Sequence, residues 1–170
     1  MPNIEIKAAY PELAKARAIC EKLNATFVGI DHQTDTYFKV PNGRLKLRES
    51  SLSGAYLIPY LRPNESGPKK SEYARLTVEE VEKTKALFTQ ILGLDLVVKK
   101  SREIYLIGNV RVHLDEVEGA GSFFEFEAVY SEDSAEQRAV EERKVNELLK
   151  TFAISPEALQ TSSYQQLVRA

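Results

Sequence analysis

Apolar and polar residues alternate with a period of two over much of this chain, and that alternation predicts strands. It is clearest in the stretch from Val110 to Glu127, which reads as two strands joined by a glycine turn. One face carries Arg111, His113, Asp115, Glu125 and Glu127, and the other carries Val110, Val112, Leu114, Phe124 and Phe126. Near the N-terminus, Glu5 and Lys7 share a face opposite Ile4 and Ile6. Arg44, Lys46 and Arg48 share another, opposite Leu45 and Leu47, and Lys100 sits with Arg102. The same reading predicts strands over 3–8, 25–30, 34–40, 44–50, 55–62, 71–76, 95–100, 101–107, 110–117 and 122–130. Pro41-Asn42-Gly43 marks a turn, and Asn64 to Pro68 marks a loop.

Three segments follow a helical period instead. The first runs from Pro11 to Asn24, with Leu13, Ala16, Cys20 and Leu23 on one stripe. The second starts at Thr77, where Thr77 and Glu80 have the spacing of a capping box, and ends at Gly93. Its stripe is Val81, Phe88, Ile91 and Leu92. The third spans Asp133 to Phe152, with Val140, Leu148, Leu149 and Phe152 facing inward. Ser155-Pro156 opens a short fourth helix.

Many antiparallel strands with few helices between them indicate an α+β fold, with the sheet able to close on itself. In a closed sheet the helices cover the apolar outer faces, and the charged faces line a tunnel. An open sheet would leave the same charged faces in water.

Composition narrows the partners. With 170 residues the chain is expected to form one domain, residues 1–170. A hydrophobic fraction of 43% and a net charge of −2 give no general bias toward nucleic acid or membrane. An anion site must then come from a local concentration of positive charge. Cys20, the single cysteine, rules out an internal disulfide and a cysteine-rich zinc site and reads as a core residue. The absence of a signal-like or membrane-length apolar run points to the cytoplasm.

The sorted charges suggest chemistry. Three carboxylates on one hairpin face are hard oxygen ligands, suited to Mg2+ or Mn2+. The basic strand faces suit phosphate oxygens. Together they point to a polyphosphate with its metal ion. His113 reads as a hydrogen-bonded residue of that face, His32 as a loop residue, and Tyr37, Tyr56 and Tyr60 as packing residues. Lys69-Lys70 and the run Glu141, Glu142, Arg143, Lys144 read as solvated charges. Tyr164 either closes a tunnel mouth or packs beside it.

Several segments, in this order and spacing, resemble those of CYTH-domain proteins, the triphosphate tunnel metalloenzymes, and most of all their class IV adenylate cyclase branch. They are Asn3-Ile-Glu-Ile-Lys7, Gln33-Thr-Asp-Thr-Tyr-Phe38, Gly43-Arg-Leu-Lys-Leu-Arg-Glu49, Lys100-Ser-Arg-Glu-Ile-Tyr105, the Asp115-to-Glu127 hairpin and Ser163-Tyr-Gln-Gln-Leu167. The resemblance implies a closed eight-stranded antiparallel barrel that binds a triphosphate with one or two divalent ions. By the same resemblance Glu5, Asp115, Glu125 and Glu127 are metal ligands, with Glu5, Asp115 and Lys7 in catalytic roles. Phosphate contacts fall to Lys7, Arg44, Lys46, Arg48, Arg62, Lys100, Arg102 and Arg111. The family's first motif, Glu-x-Glu-x-Lys, has Asn3 in its first position here, which leaves a neutral oxygen where a carboxylate is usual.

The resemblance implies an enzyme that makes cyclic AMP and pyrophosphate from ATP. Hydrolysis of inorganic, thiamine or nucleoside triphosphate is the rival, favoured by the carboxylate at Glu127. A non-catalytic polyphosphate- or nucleotide-binding module is a third reading, favoured by Asn3. The expected partners are ATP, tripolyphosphate or thiamine triphosphate, with neither nucleic acid nor membrane, and with a homodimer as one option for assembly.

Overall fold

The computed structural model describes residues 3–61, 69–132 and 134–169. In chain order the elements are β1 (Asn3–Ala9), α1 (Leu13–Lys22), β2 (Thr26–Phe38), β3 (Arg44–Ser50), β4 (Gly54–Leu61), β5 (Lys69–Tyr73), β6 (Leu76–Thr77), α2 (Val81–Leu92), β7 (Leu94–Ile107), β8 (Val110–Val117), β9 (Gly121–Val129), α3 (Ala135–Thr151) and α4 (Tyr164–Arg169), with a 3-10 turn at Pro156–Ala158. All strand pairings are antiparallel. The order β3-β2-β7-β8-β9-β1-β5-β4 returns to β3 through the β3–β4 hairpin, giving a nearly closed eight-stranded barrel. Two aligned pairs, Tyr60 with Tyr73 and Leu61 with Glu72, span the β4–β5 seam. The two-residue β6 pairs with β4.

The alternation sorts the side chains inside out. Ile4, Ile6, Val112, Leu114, Phe124 and Phe126 are buried on the outer face of the barrel, where α1 adds Leu13, Ala16 and Cys20, α3 adds Val145, and Phe152 joins them from the C-terminal end of α3. The Phe124 ring lies 4.5 Å from Phe126 and 4.7 Å from Phe152. The second helix packs on β2 and β7, with Phe88 against Phe38. With the apolar faces spent on the helices, the charged faces turn inward.

The strands expected over 25–30 and 34–40 are one strand, as are those over 95–100 and 101–107. The polar run in β2 hid its continuity: Asp31 and Gln33 are buried toward the barrel interior while His32 is exposed outside, so neither face is apolar. His32 is therefore a strand residue. Thr77 caps no helix, because it is paired with Tyr56 in the sheet, and α2 begins after Glu80 without a side-chain cap. In α3, Val140 is 38% exposed, and Glu141 is buried in its place, hydrogen-bonded to Asn109 and Gln137 at 2.8 Å. Glu141 is thus a structural carboxylate beneath the helix and not part of a solvated face. The segment after Ser155 forms a single 3-10 turn, and the terminal helix α4 lacked a periodic signal. The Asn64–Pro68 loop lies outside the described residues.

Candidate functional site

Strand by strand, the interior follows one order. β7 presents Val98, Lys100, Arg102, Ile104 and Leu106 inward from one end of the barrel to the other. At the Val98 end, Tyr37, Val117, Phe123 and Tyr164 join it in a small buried cluster that seals the barrel. Tyr164 comes from α4, which therefore closes this end. The opposite end is lined by Val28, Leu52, Ile104 and Leu106, and Val28 and Leu52 are about half exposed. Between the two ends lies a cavity of about 530 Å³.

The inner part of the cavity is crowded with charge. Asp35 is completely buried, and both its oxygens accept from Arg48, at 2.7 Å each. Lys100 Nζ lies 3.0 Å and Lys46 Nζ 3.3 Å from the same carboxylate. Burial would raise the Asp35 pKa, but Arg48, Lys100 and Lys46 outweigh it and hold the group well below the usual carboxylate range. The cations are not equally satisfied. Burial, reinforced by Arg48, pushes the Lys46 ammonium well below its ordinary value, and burial brings Lys100 down to about 8. Three cations share one carboxylate, so this wall carries an excess of buried positive charge.

The neighbouring wall is balanced differently. Arg102 binds Asp115 through two bonds of 2.7 Å and reaches Glu125 at 3.4 Å. Tyr164 donates its hydroxyl to Asp115 at 2.5 Å, and His113 lies 3.1 Å from Glu125. Lys7 is buried, 4.0 Å from both Glu125 and the Tyr164 ring centre. Burial opposes ionisation of Glu125, yet Arg102, His113 and Lys7 keep its pKa well below normal. Toward the open end, Glu5 and Glu127 stand directly opposite each other across β1 and β9, with Glu127 also opposite Arg111 on β8. Like charges in that position repel. Asn3 Nδ2 donates to Glu127 at 3.2 Å, while its own buried Oδ1 has no hydrogen-bond partner among the described residues.

The barrel brings most of the expected site residues together. Glu5, Lys7, Lys46, Arg48, Lys100, Arg102, Arg111, Glu125 and Glu127 all line the cavity. Asp115 stands behind its surface, held by Arg102 and Tyr164. Arg44 is not a lining residue; it bonds Gln166 at 3.4 Å. Arg62 lies outside the described residues. Among the described residues, no three His, Cys, Asp or Glu side chains form a ready-made metal cage. The donor set that fits a hard cation is Glu5, Glu127 and the unpartnered Asn3 Oδ1. Asp35, the organiser of the basic cluster, carried no role in the sequence reading. Its signal was there, since it shares a strand face with Asp31, Gln33 and Tyr37, but its partners emerge only from the register that sets Asp35 against Arg48.

Comparison with known proteins places this geometry in a family. The CYTH domain model matches residues 1–158. The chain belongs to the CYTH domain family. Tunnel enzymes of this family bind triphosphates and use divalent metals. A proposed adenylate cyclase of Methanocaldococcus jannaschii is 28% identical over 177 residues, covering 98% of each chain. The PH1012 protein of Pyrococcus horikoshii superposes with a TM-score of 0.86 at 25% identity, covering 98% of this chain and 99% of that one. A proposed adenylyl cyclase from Hippeastrum, described as having a dominant triphosphatase activity, shares the fold at a TM-score of 0.62 and 14% identity, covering 99% of this CYTH chain and 94% of its own. No helix among the described residues is long and apolar enough to cross a membrane.

Proposed function

We propose that the tunnel binds a nucleoside triphosphate with a divalent cation and converts ATP to cyclic AMP and pyrophosphate. The observation that carries this reading is the polarity of the tunnel. Lys46, Arg48 and Lys100 crowd one carboxylate toward the sealed end, and Glu5 and Glu127 face each other toward the open end. A triphosphate entering tail first puts its β- and γ-phosphates among the cations and its α-phosphate near the carboxylates. In cyclisation the ribose 3′-hydroxyl gives up its proton to water as its oxygen attacks the α-phosphorus, the bond from that phosphorus to the oxygen it shares with the β-phosphate breaks, and pyrophosphate leaves carrying the new charge. That charge develops where the buried cations already lie, so little reorganisation is needed. Glu5, Glu127 and Asn3 Oδ1 would hold Mg2+ or Mn2+, which neutralises phosphate oxygens when bound. Lys7, between Glu125 and Tyr164, would add a further phosphate contact.

Hydrolysis at the terminal phosphorus is the second reading. The carboxylate at Glu127 and the likeness to the Hippeastrum protein favour it. It is disfavoured by the inner end, where Asp35, Asp115 and Glu125 are each engaged by cations, leaving them poorly disposed to activate water. Incubation with Mn2+ and ATP or tripolyphosphate, with the products separated, tests both. Cyclic AMP with pyrophosphate is expected. Orthophosphate from either substrate would replace cyclisation with hydrolysis, and no turnover would leave a binding module.

A further inference from the structure

The cations of the inner cavity are held in two different ways. Arg48 and Arg102 each sit in a carboxylate fork, through paired bonds of 2.7 Å to Asp35 and Asp115. Lys46 and Lys100 share Asp35 with Arg48, at 3.3 and 3.0 Å, and Lys7 stands 4.0 Å from Glu125, which Arg102 and His113 also engage. Each lysine also lies over a tyrosine ring. Lys7 Nζ is 4.0 Å and Lys100 Nζ 5.2 Å from the centre of the Tyr164 ring, so one ring serves both. Lys46 Nζ lies 5.1 Å from the Tyr60 ring centre and 5.5 Å from that of Tyr37. All three lysines and all three tyrosines line the cavity.

A ring face and a carboxylate do different things to an ammonium group. A carboxylate attracts it strongly but cancels its charge. A ring face attracts it through the ring quadrupole, and leaves the full charge in place. That attraction is strongest where water is excluded, and Lys7 and Lys100 are buried. The rings themselves are neutral, since burial pushes the Tyr37 and Tyr164 hydroxyls well above their ordinary pKa. Their planes are also fixed. Tyr164 donates to Asp115 at 2.5 Å and packs against Phe123, with ring centres 5.3 Å apart, and Tyr60 donates to the Tyr37 hydroxyl at 3.5 Å.

We propose that Tyr164, Tyr60 and Tyr37 are positioning residues whose ring faces hold Lys7, Lys100 and Lys46 ready for phosphate oxygens without cancelling their charge. The proposal rests on the tunnel being a triphosphate site. It gives the excess positive charge around Asp35 a support that carboxylates cannot supply, and it makes α4 part of the anion site through one side chain. Without the Tyr164 ring, Lys7 is left to Glu125 and Lys100 to Asp35, and each of those pairings must loosen before phosphate binds.

Tyr164→Leu removes the ring, and Tyr164→Phe keeps it while removing the hydroxyl. In calorimetric titration with tripolyphosphate and no divalent metal, the leucine variant should bind about tenfold more weakly than the parent and the phenylalanine variant within about twofold of it. Lysine side-chain NMR of the ligand-free protein gives a second readout, with the Lys100 signal assigned from Lys100→Arg. Lys100 is faced by Asp35 on β2, Lys46 and Arg48 on β3, Arg102 on its own strand, Asp115 on β8 and the Tyr164 ring on α4. A ring face favours the ammonium form, so Lys100 should titrate up to about one pH unit lower in Tyr164→Leu and unchanged in Tyr164→Phe. Water entering an unsealed barrel end would act in the opposite direction, because burial is what lowers Lys100. A higher Lys100 titration in Tyr164→Leu therefore overturns the proposal, as does parent-like binding in both variants. Equal losses in both variants assign the effect to the hydroxyl on Asp115 and overturn the ring. If Tyr164→Leu does not fold, Tyr60→Leu and Tyr60→Phe, read on Lys46, decide by the same outcomes. A parent that does not bind tripolyphosphate sinks the tunnel reading, while the Lys100 titration still decides the ring contact.

Discussion

Asp35 and Asp115 stand on either side of β7, both completely buried and both locked by an arginine through two 2.7 Å bonds. They nevertheless build different walls. Asp35 is shared by Arg48, Lys46 and Lys100, so positive charge is left over. Asp115 has Arg102 and a tyrosine hydroxyl, and Arg102 is itself divided with Glu125, so that wall is close to neutral inside and carries acids and bases together where Glu5 and Glu127 meet Arg111 and Arg75. A buried ion pair alone is weak evidence of a site, because its attraction is largely offset by desolvation. The informative quantity is the charge left over once the pairs are counted. Here it is positive by the sealed end, while toward the open end Glu5 and Glu127 are matched by Arg111 and Arg75.

The largest expected effect tests that difference directly. Asp35→Asn removes the single counter-charge of three buried cations and should lower stability by about 3–5 kcal/mol in chemical denaturation. Asp115→Asn should cost less, because Glu125 remains to pair Arg102. Tripolyphosphate should stabilise Asp35→Asn more than the parent, since it replaces the missing charge. Equal costs and equal ligand effects for the two variants would erase the distinction between the walls.

Next in size is the contribution of the basic wall to binding. Arg48→Ala and Lys46→Ala should each weaken tripolyphosphate by about 1.5–3 kcal/mol, the worth of a charge-assisted hydrogen bond. Adenosine binding should change little. Titration of both ligands decides the matter, and equal losses for the two would mean these side chains act through folding.

The third effect is a pH dependence confined to the same wall. Lys100 is brought down to about 8 by burial, despite Asp35 beside it. Bound phosphate favours the ammonium form. Below about pH 8 the lysine is already protonated and its contribution is flat. Above that value binding must draw a proton from solution, so affinity should fall by up to about tenfold per pH unit until other groups titrate. Calorimetry at pH 9 in two buffers of different ionisation enthalpy measures the uptake, and Lys100→Arg should reduce it to the part that Lys46, also lowered by burial, contributes. An uptake that Lys100→Arg leaves unchanged would exclude Lys100 from the anion site.

The smallest effect probes the acidic end. Mn2+ at about ten times its dissociation constant should stabilise the parent by about 1.4 kcal/mol. Glu127→Gln should lose most of that gain. Glu125→Gln should keep it, since Glu125 is already engaged by Arg102 and His113. The opposite ranking, read in thermal unfolding with and without Mn2+, would move the cation to the inner carboxylates.

Much of this architecture was legible in the order of residues. The period of two assigned Glu5, Lys7, Lys46, Arg48, Lys100, Arg102, Glu125 and Glu127 to strand faces, and the apolar opposite faces required cover. Legibility failed where both faces are polar. β2 lost its continuity at Asp31–Asp35, because one face meets the tunnel and the other meets water. Thr77 failed for a different reason: a capping-box spacing is local, and β-pairing with Tyr56 claimed the residue first. Glu141 read as solvent-facing: Gln137 lies one helical turn away, but nothing near it in sequence announces that Asn109 will receive it.

The sequence by itself determined which residues share a strand face, because that follows from backbone geometry one residue at a time. It also determined that charged faces would need enclosure or solvent. Only the tertiary structure decided which faces meet. The register of β2 against β3 and β7 brings Arg48, Lys46 and Lys100 onto Asp35, the register of β1 against β9 sets Glu5 opposite Glu127, and the docking of α4 puts Tyr164 onto Asp115 and closes one end. Electrostatic balance depends on distances between residues far apart in the chain, and those distances come into being when the sheet closes.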